Sequence, residues 1–182
     1  GLTYQYLNNY EESLISYQES VELFESLGNK EKTAINYHTI GTLYNDLRKY
    51  ALAYDYYNKA LKIYLELENS ERQAAIYQNI GVLYNNWGNY EQSLEYYKKS
   101  LGIYEVLNDK LNIAISFSNI GLIYEHHKDY YKALEYYQRS LLMFEEIDYK
   151  PALVYIFYNL GSIYDNLKES VKAEEYFTRG LE

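Results

Sequence analysis

Apolar residues recur along this chain at helical spacing. Between residues 10 and 27 they are separated by alternating steps of four and three residues, at Tyr10, Leu14, Tyr17, Val21 and Phe24. This spacing places them on one face of a helix. Segments of the same kind continue to the end of the chain, separated by short polar stretches such as Trp87-Gly88-Asn89. The pattern predicts a series of amphipathic helices joined by tight turns.

The helical pattern repeats every 40 residues, without insertion or deletion. One column of the repeat holds Gly1, Gly41, Gly81, Gly121 and Gly161, and another holds Tyr4, Tyr44, Tyr84, Tyr124 and Tyr164. A fixed period of roughly 20–50 residues is typical of solenoids, in which supersecondary units stack on their neighbours. The sequence therefore predicts an all-α solenoid of antiparallel helix pairs.

We expect about four and a half repeats in a single domain. Their approximate ranges are 1–30 (partial), 31–70, 71–110, 111–150 and 151–182. Residues 1–7 are expected to end a first helix, and residues 10–27 to form its partner. Because Gly1 occupies a column that lies mid-helix in later repeats, we expect the chain to be a fragment of a longer protein.

The repeat boundaries carry helix-capping signals. Asn29, Ser70 and Asp109 each stand where a helix is expected to begin, and their side chains can accept a backbone N–H at an N-cap. Gly88 suits the left-handed conformation that follows a helix end. Pro151 fits the first turn of a helix, where its missing N–H would have no partner.

The repeat columns resemble the signature of the tetratricopeptide repeat family. If a unit of about 34 residues is numbered from Ala74, the signature positions are Tyr77, Ile80, Gly81, Tyr84, Tyr90, Ser93, Tyr97 and Ser100. The longer repeat found here resembles those of kinesin light chain, Pins-type polarity adaptors and bacterial sensor and regulator proteins. The resemblance implies a right-handed superhelix. The first helix of each pair, helix A, would form a concave groove for a protein or peptide, and the second, helix B, would lie outside.

The residue types in these columns agree with close packing. Glycine within a helix costs up to about 1 kcal/mol relative to alanine, so its recurrence suggests that a neighbouring helix leaves no room for a Cβ. Helix B carries small residues for the same reason, at Ala53, Ser93, Ala133 and Ala173. Most of the 27 tyrosines also recur in columns, and we expect them to pack between the helices.

The groove positions implied by the resemblance contain no lysine or arginine, which disfavours a clamp for a C-terminal carboxylate. Asparagine recurs there at one phase, and a carboxamide can donate and accept hydrogen bonds. This ladder can therefore pair with the backbone of an extended peptide; alternatively, it bonds the next helix and is structural. Val82, Leu122, Tyr155 and Tyr158 would supply apolar pockets. The candidate groove residues are Asn79, Asn119, Asn159, Gln78, Asn86, Val82, Leu122, Tyr155, Tyr158 and Ser162.

The composition of the chain excludes some classes of binding partner. A net charge of −9 argues against nucleic acid, which requires basic patches, and against an anionic membrane surface. The chain has no cysteine, no apolar run of the roughly 18 residues needed to span a membrane and no signal segment. We therefore expect a soluble, cytoplasmic segment.

No motif indicates catalysis, a cofactor or a metal. A glycine-rich phosphate loop and a nucleophile–base arrangement are both missing. His126 and His127 are adjacent, so on a helix they would point about 100° apart and would not converge on a metal ion. We expect no enzyme activity.

The function that these observations favour is a protein- or peptide-binding scaffold, as the interaction or sensor segment of a larger protein. Its partner would be a protein or an extended peptide that is neutral to basic. The alternative is a structural spacer or oligomerisation module without a groove ligand, which would self-associate through uncovered repeat ends.

Overall fold

The computed structural model describes the backbone of residues 2–181 and the side chains of residues 9–181. Gly1, the first member of the glycine column, lies outside this range. All regular elements in the described part are helices, which confirms the predicted fold class. They are α1 (Leu2–Ser26), α2 (Lys30–Asp46), α3 (Tyr50–Glu66), α4 (Ser70–Asn86), α5 (Tyr90–Leu107), α6 (Lys110–His126), α7 (Tyr130–Glu146), α8 (Lys150–Asn166) and α9 (Ser170–Arg179).

The helices form two compact units. Helices α1–α4 belong to the first, which ends at Asn89, and α5–α9 belong to the second, which begins at Tyr90. Within each unit every helix packs against the next one along the chain. Helices A of the repeat are α2, α4, α6 and α8, and each is followed by a helix B. The single-domain organisation stays a prediction.

The turns between helices share one hydrogen-bonding pattern. After α2, the amide of Lys49 donates to the carbonyl of Tyr44 (2.8 Å) and that of Arg48 to the carbonyl of Asn45 (2.9 Å). These paired bonds form a Schellman motif, whose turn residue adopts a positive φ. Gly88 does so with φ 82°, as predicted. Elsewhere non-glycine residues take the same conformation, at Arg48, Glu68, Asn108, Lys128, Asp148 and Lys168.

Two of the three predicted N-caps are confirmed. The side chain of Asn29 accepts the amide of Lys32 at 3.1 Å, and that of Asp109 accepts the amide of Asn112 at 3.1 Å. The prediction for Ser70 is wrong, because Asn69 caps α4 and Ser70 is the first helical residue. The preceding Schellman turn at Glu68 places Asn69, and not Ser70, at the cap position.

The predicted break between residues 7 and 10 is also wrong, since α1 runs without interruption from Leu2 to Ser26. Continuation of the helix keeps the backbone hydrogen bonds that a turn would interrupt.

The glycine column marks the closest contacts inside the helix pairs. A methyl group on these glycines would lie less than 3 Å from an aromatic ring carbon of the following helix B. The pairs are Gly41 with Tyr57 (2.7 Å), Gly121 with Tyr137 (2.9 Å) and Gly161 with Phe177 (2.5 Å). The predicted close approach is confirmed, and the group that approaches is a ring face.

The tyrosine and small-residue columns form the core as predicted. Tyr57, Tyr97 and Tyr137 are at most 2% exposed. The small residues of helix B, Ala53, Ser93, Ala133 and Ala173, are buried beside them. Large rings therefore fill the spaces that small side chains leave open.

A second aromatic arrangement was not anticipated from the sequence. The rings of Tyr124 and Tyr136 are stacked with centroids 5.4 Å apart, and Phe117 lies next to Tyr136. The Arg139 guanidinium covers Phe117 at 4.0 Å, and the Lys132 ammonium covers Tyr124 at 5.1 Å. Equivalent residues repeat this arrangement in two other hairpins, as Tyr37, Tyr56, Tyr44 and Lys59, and as Phe157, Tyr176, Tyr164, Arg179 and Lys172. In the first of these Tyr44 is covered by Lys49, because Leu52 stands at the position of Lys132.

The ring contact predicts opposite effects for two glycine substitutions in the second unit. Gly121→Ala should lower the free energy of unfolding by about 1–3 kcal/mol, because the new methyl overlaps the buried ring of Tyr137. Gly102→Ala is the control: Gly102 is exposed on α5 with no atom within 4 Å of an added methyl. It should raise stability by up to about 1 kcal/mol. Urea unfolding measures both, and equal changes in the two variants would contradict the contact.

Candidate functional site

The predicted groove residues all lie on helices A, but their exposure differs. In the first unit Gln78, Asn79 and Val82 are half-buried and Asn86 is exposed. In the second unit Asn119, Leu122 and Ser162 are half-buried, Tyr155 and Tyr158 are exposed, and Asn159 is buried. The groove face of the first unit is the surface of α2 and α4 that carries these positions. The groove face of the second unit is the corresponding surface of α6 and α8.

In the first unit, two groove carboxamides contact the preceding helix A. The Asn79 side-chain amide donates to His38 Nε2 on α2, and the Asn86 amide donates to the Asn45 carboxamide oxygen at 3.4 Å. A histidine that accepts at Nε2 is neutral. The pKa of His38 agrees, since burial and, secondarily, the charge of Arg72 hold it below its ordinary value of 6.5. Asn79 and Asn86 therefore have structural partners.

Two other carboxamides in the first unit are not satisfied. The side-chain oxygens of Gln78 and Asn85 on α4 are buried and accept no hydrogen bond from any described residue. A buried polar atom without a partner costs about 1–3 kcal/mol. Both atoms are acceptors, so an N–H donor would relieve that cost.

In the second unit, the side-chain amide nitrogen of Asn159 is buried and unsatisfied. Its side chain is 7% exposed, and its amide nitrogen makes no hydrogen bond to any described residue. Tyr155 lies one helical turn before Asn159, on the same face of α8. Its ring is 50% exposed, and that of Tyr158 is 63% exposed. A buried donor thus lies beside two accessible aromatic rings.

Tyrosine hydroxyls from helix B reach the groove face beneath the glycine column. Tyr137 on α7 donates to a Glu125 carboxylate oxygen at 2.8 Å, and Tyr57 on α3 donates to Thr42 at 3.3 Å. Burial raises the pKa of Tyr57 to about 12. Burial and then the charge of Glu125 raise the pKa of Tyr137 further. From the sequence, this tyrosine column was predicted to serve packing only. The signal for a second role was the residue type, because phenylalanine would fill the same space without a hydroxyl.

Glu125 is the half-buried acid of the second unit's groove face. Other carboxylates bind the cations that form ion pairs in this unit, which are Lys99, Lys110, Lys132, Lys172 and Arg179. Among the described residues Glu125 has no cationic partner, and its side chain bonds only the Tyr137 hydroxyl.

Two pockets adjoin these faces. In the first unit a polar cavity of about 290 Å³ is lined by Asn45, Asp46, Arg48, Tyr50 and Asn86. In the second, an apolar cavity of about 200 Å³ is lined by Val154, Tyr158, Phe177, Gly180 and Leu181.

The paired histidines pack on one aromatic ring. The His126 ring stacks on Tyr90 with centroids 4.6 Å apart, and the His127 ring meets Tyr90 edge-on at 5.7 Å. Within residues 9–181, no group of three histidine, aspartate or glutamate side chains is placed to hold a metal ion. None of the helices described is both long and apolar enough to cross a bilayer.

Comparison with known proteins identifies the repeat. The family model described as tetratricopeptide repeat matches residues 1–66, 33–105 and 112–182. The predicted family is therefore confirmed over most of the chain. None of the curated proteins matches the sequence.

Solved structures share the fold at low sequence identity. BtubC (BKLC) from P. vanneervenii is 22% identical with a TM-score of 0.86, over 97% of this chain and 73% of that protein. Apo RapI is 23% identical with a TM-score of 0.85, over 95% and 48%. A Rap protein complexed with competence and sporulation factor is 22% identical with a TM-score of 0.80, over 100% and 51%. The chain thus spans about half of each Rap protein, and these identities establish the fold alone.

The contacts of His38 predict its titration. Because burial lowers its pKa, His38 should titrate below pH 6.5 in NMR spectra. The folded state favours neutral His38. The part of the folding stability that depends on this neutral form is therefore present above pH 6.5, and it is lost as the pH falls through the pKa of His38 in the folded protein. Arg72→Ala should move the midpoint part of the way back. A wild-type midpoint at or above 6.5 would contradict the buried, neutral assignment.

Proposed function

Because the chain belongs to the tetratricopeptide repeat family, we propose that it is a non-catalytic scaffold that binds an extended segment of a partner on its groove face. The observation that carries this proposal is the unpartnered amide of Asn159, 7% exposed, beside the exposed rings of Tyr155 and Tyr158. No described group of the protein accepts a hydrogen bond from this donor. An acceptor atom on a bound ligand would do so.

Backbone recognition would account for the unpartnered polar atoms of each unit taken by itself. An extended peptide presents one C=O and one N–H per residue. The Asn159 amide would donate to a peptide carbonyl, and the Gln78 and Asn85 oxygens would accept peptide amides. Each bond would recover part of the roughly 1–3 kcal/mol that an unpartnered buried atom costs. Recognition of this kind does not depend on the side chains of the peptide.

Apolar side chains of the groove face would supply anchoring contacts. Tyr155 and Tyr158 are exposed, and Val82 and Leu122 are half-buried. Tyrosine is enriched among the residues that dominate binding energy at interfaces. Side chains of the peptide would pack on these rings, so apolar residues at alternate positions should strengthen binding.

The charge of the groove face favours a neutral to basic partner. Asp46 and Asp165 are exposed, and Glu125 is half-buried. The chain as a whole carries a net charge of −9. Complementary charge increases the association rate and excludes acidic competitors.

The solved structures add support by analogy. A Rap protein was solved in complex with competence and sporulation factor, so this fold can accommodate a ligand in that protein. The chain covers 51% of that protein, and we propose that it is likewise the interaction or sensor segment of a longer chain. The cytoplasmic location stays a prediction.

Self-association is the second candidate, and apolar exposure favours it. Val171 is 83% exposed and Leu181 is 90% exposed. Tyr158 and Phe177 line the apolar cavity beside Leu181. A second copy of the chain that covered this surface would bury it from water.

A random-peptide screen, performed on a sample whose mass is followed by light scattering, tests the proposal. The protein should remain monomeric and select extended, neutral to basic peptides. Growth in mass with concentration, with no peptide selected, would instead support self-association.

Carboxamide variants then separate binding from folding. Asn119→Ala and Asn159→Ala should each weaken the binding of the selected peptide by about tenfold, because each removes one hydrogen bond to the ligand. Asn159→Ala should leave the urea midpoint unchanged or raise it, because it removes an unpartnered donor. Gln92→Ala, on the exposed surface of α5, is the matched control. Unchanged affinity in both asparagine variants would refute the groove assignment.

A further inference from the structure

We propose that Glu125, held by the Tyr137 hydroxyl, forms a subsite for one cationic side chain, arginine or lysine, of the bound peptide. This inference rests on the proposed function and specifies the chemistry of the ligand in the second unit. The preference for neutral to basic partners followed from the charge of the whole groove face. This inference assigns the binding of a cation to one acid, Glu125.

The carboxylate is fixed in position but not neutralised. The Tyr137 hydroxyl donates to Glu125 Oε2 at 2.8 Å from below, since Tyr137 is fully buried. An ionised carboxylate offers about four lone-pair positions, and the described side chains and amides fill one of them. The remaining oxygen, Oε1, can accept from a guanidinium or an ammonium group. Such charge-assisted bonds are about twice as strong as neutral ones.

The position of Glu125 on its helix adds to the attraction. It lies in the last turn of α6, which ends at His126. The C-terminal end of a helix carries partial negative charge and favours cations. Lys128, the nearest cation along the chain, is exposed and forms no ion pair with Glu125. The site therefore attracts a cation that the described part of this unit does not supply.

Aromatic rings and an unpartnered donor complete the subsite. Tyr155 on α8 of the same unit is 50% exposed, and its ring would offer a ligand cation a cation–π contact. One turn along α8, the unpartnered amide of Asn159 would donate to the backbone carbonyl of the ligand. A cationic side chain and a nearby backbone carbonyl of the ligand would thus be recognised on one face.

The other repeats lack this combination. The residues equivalent to Glu125 are Asn45, Asn85 and Asp165, and those equivalent to Tyr137 are Tyr57, Tyr97 and Phe177. Only Asp165 is also an acid, and the ring in its repeat, Phe177, has no hydroxyl to hold a carboxylate. The described helix pairs therefore provide one such subsite, which predicts a single preferred cation in the ligand.

Three peptide pools of about nine residues, roughly 30 Å when extended, provide the probe. Their central residue is arginine, its neutral analogue citrulline or glutamate, and the other positions are randomised without charged residues. Wild-type protein should bind the arginine pool about tenfold more tightly than the citrulline pool. Glu125→Gln, which keeps an acceptor for Tyr137, should abolish that difference and leave the affinity for the citrulline pool unchanged. Glu125→Arg should prefer the glutamate pool.

Glu105→Gln is the matched control, because it removes an exposed charge from α5 in the same unit. It should retain the arginine preference. Equal binding of the three pools by wild type, with binding still lost in Asn159→Ala, would overturn the subsite while the groove assignment stands. Failure of every pool to bind would overturn both.

Discussion

The contact between a glycine of helix A and an aromatic ring of helix B determines how the hairpins of this protein are built. Because the glycine has no Cβ, the ring lies directly against the helix backbone, as Tyr137 does at Gly121. A ring at that depth extends beneath helix A. Its hydroxyl then reaches Glu125, which lies one helical turn after Gly121 on the same face of α6. The packing of the core and the chemistry of the groove face are therefore properties of the same side chain.

This coupling explains why the groove face is polar yet ordered. Tyr57 and Tyr137 position their hydroxyls rigidly, since both rings are buried. The carboxamides above them divide into two groups. Asn79 joins two neighbouring helices through His38, whereas Asn159 has no partner in the described structure. One asparagine column thus serves packing in one repeat and offers a free donor in another.

The sequence predicted the glycine contact, the fold and most helix ends because each depends on residue type at a fixed spacing. It failed where three-dimensional context decides. Lys128 adopts a positive φ because two packed helices require the reversal, and no local signal marks it. Residues 7–10 were predicted to break the helix, and α1 continues through them. Glu125 and Tyr137 lie 12 residues apart on different helices, so their hydrogen bond follows only from the depth of the ring.

The side-chain amide of Asn159 is the most direct probe of the claim that the groove face binds peptide backbone. In ¹⁵N–¹H spectra, titration with the arginine-centred pool should shift the Asn159 side-chain resonances and leave those of Gln92 in place. Such a shift would mean that the buried donor has found a carbonyl. Resonances of Val171 and Leu181 that shift while Asn159 does not would contradict the account and place the interaction on the apolar surface of α9.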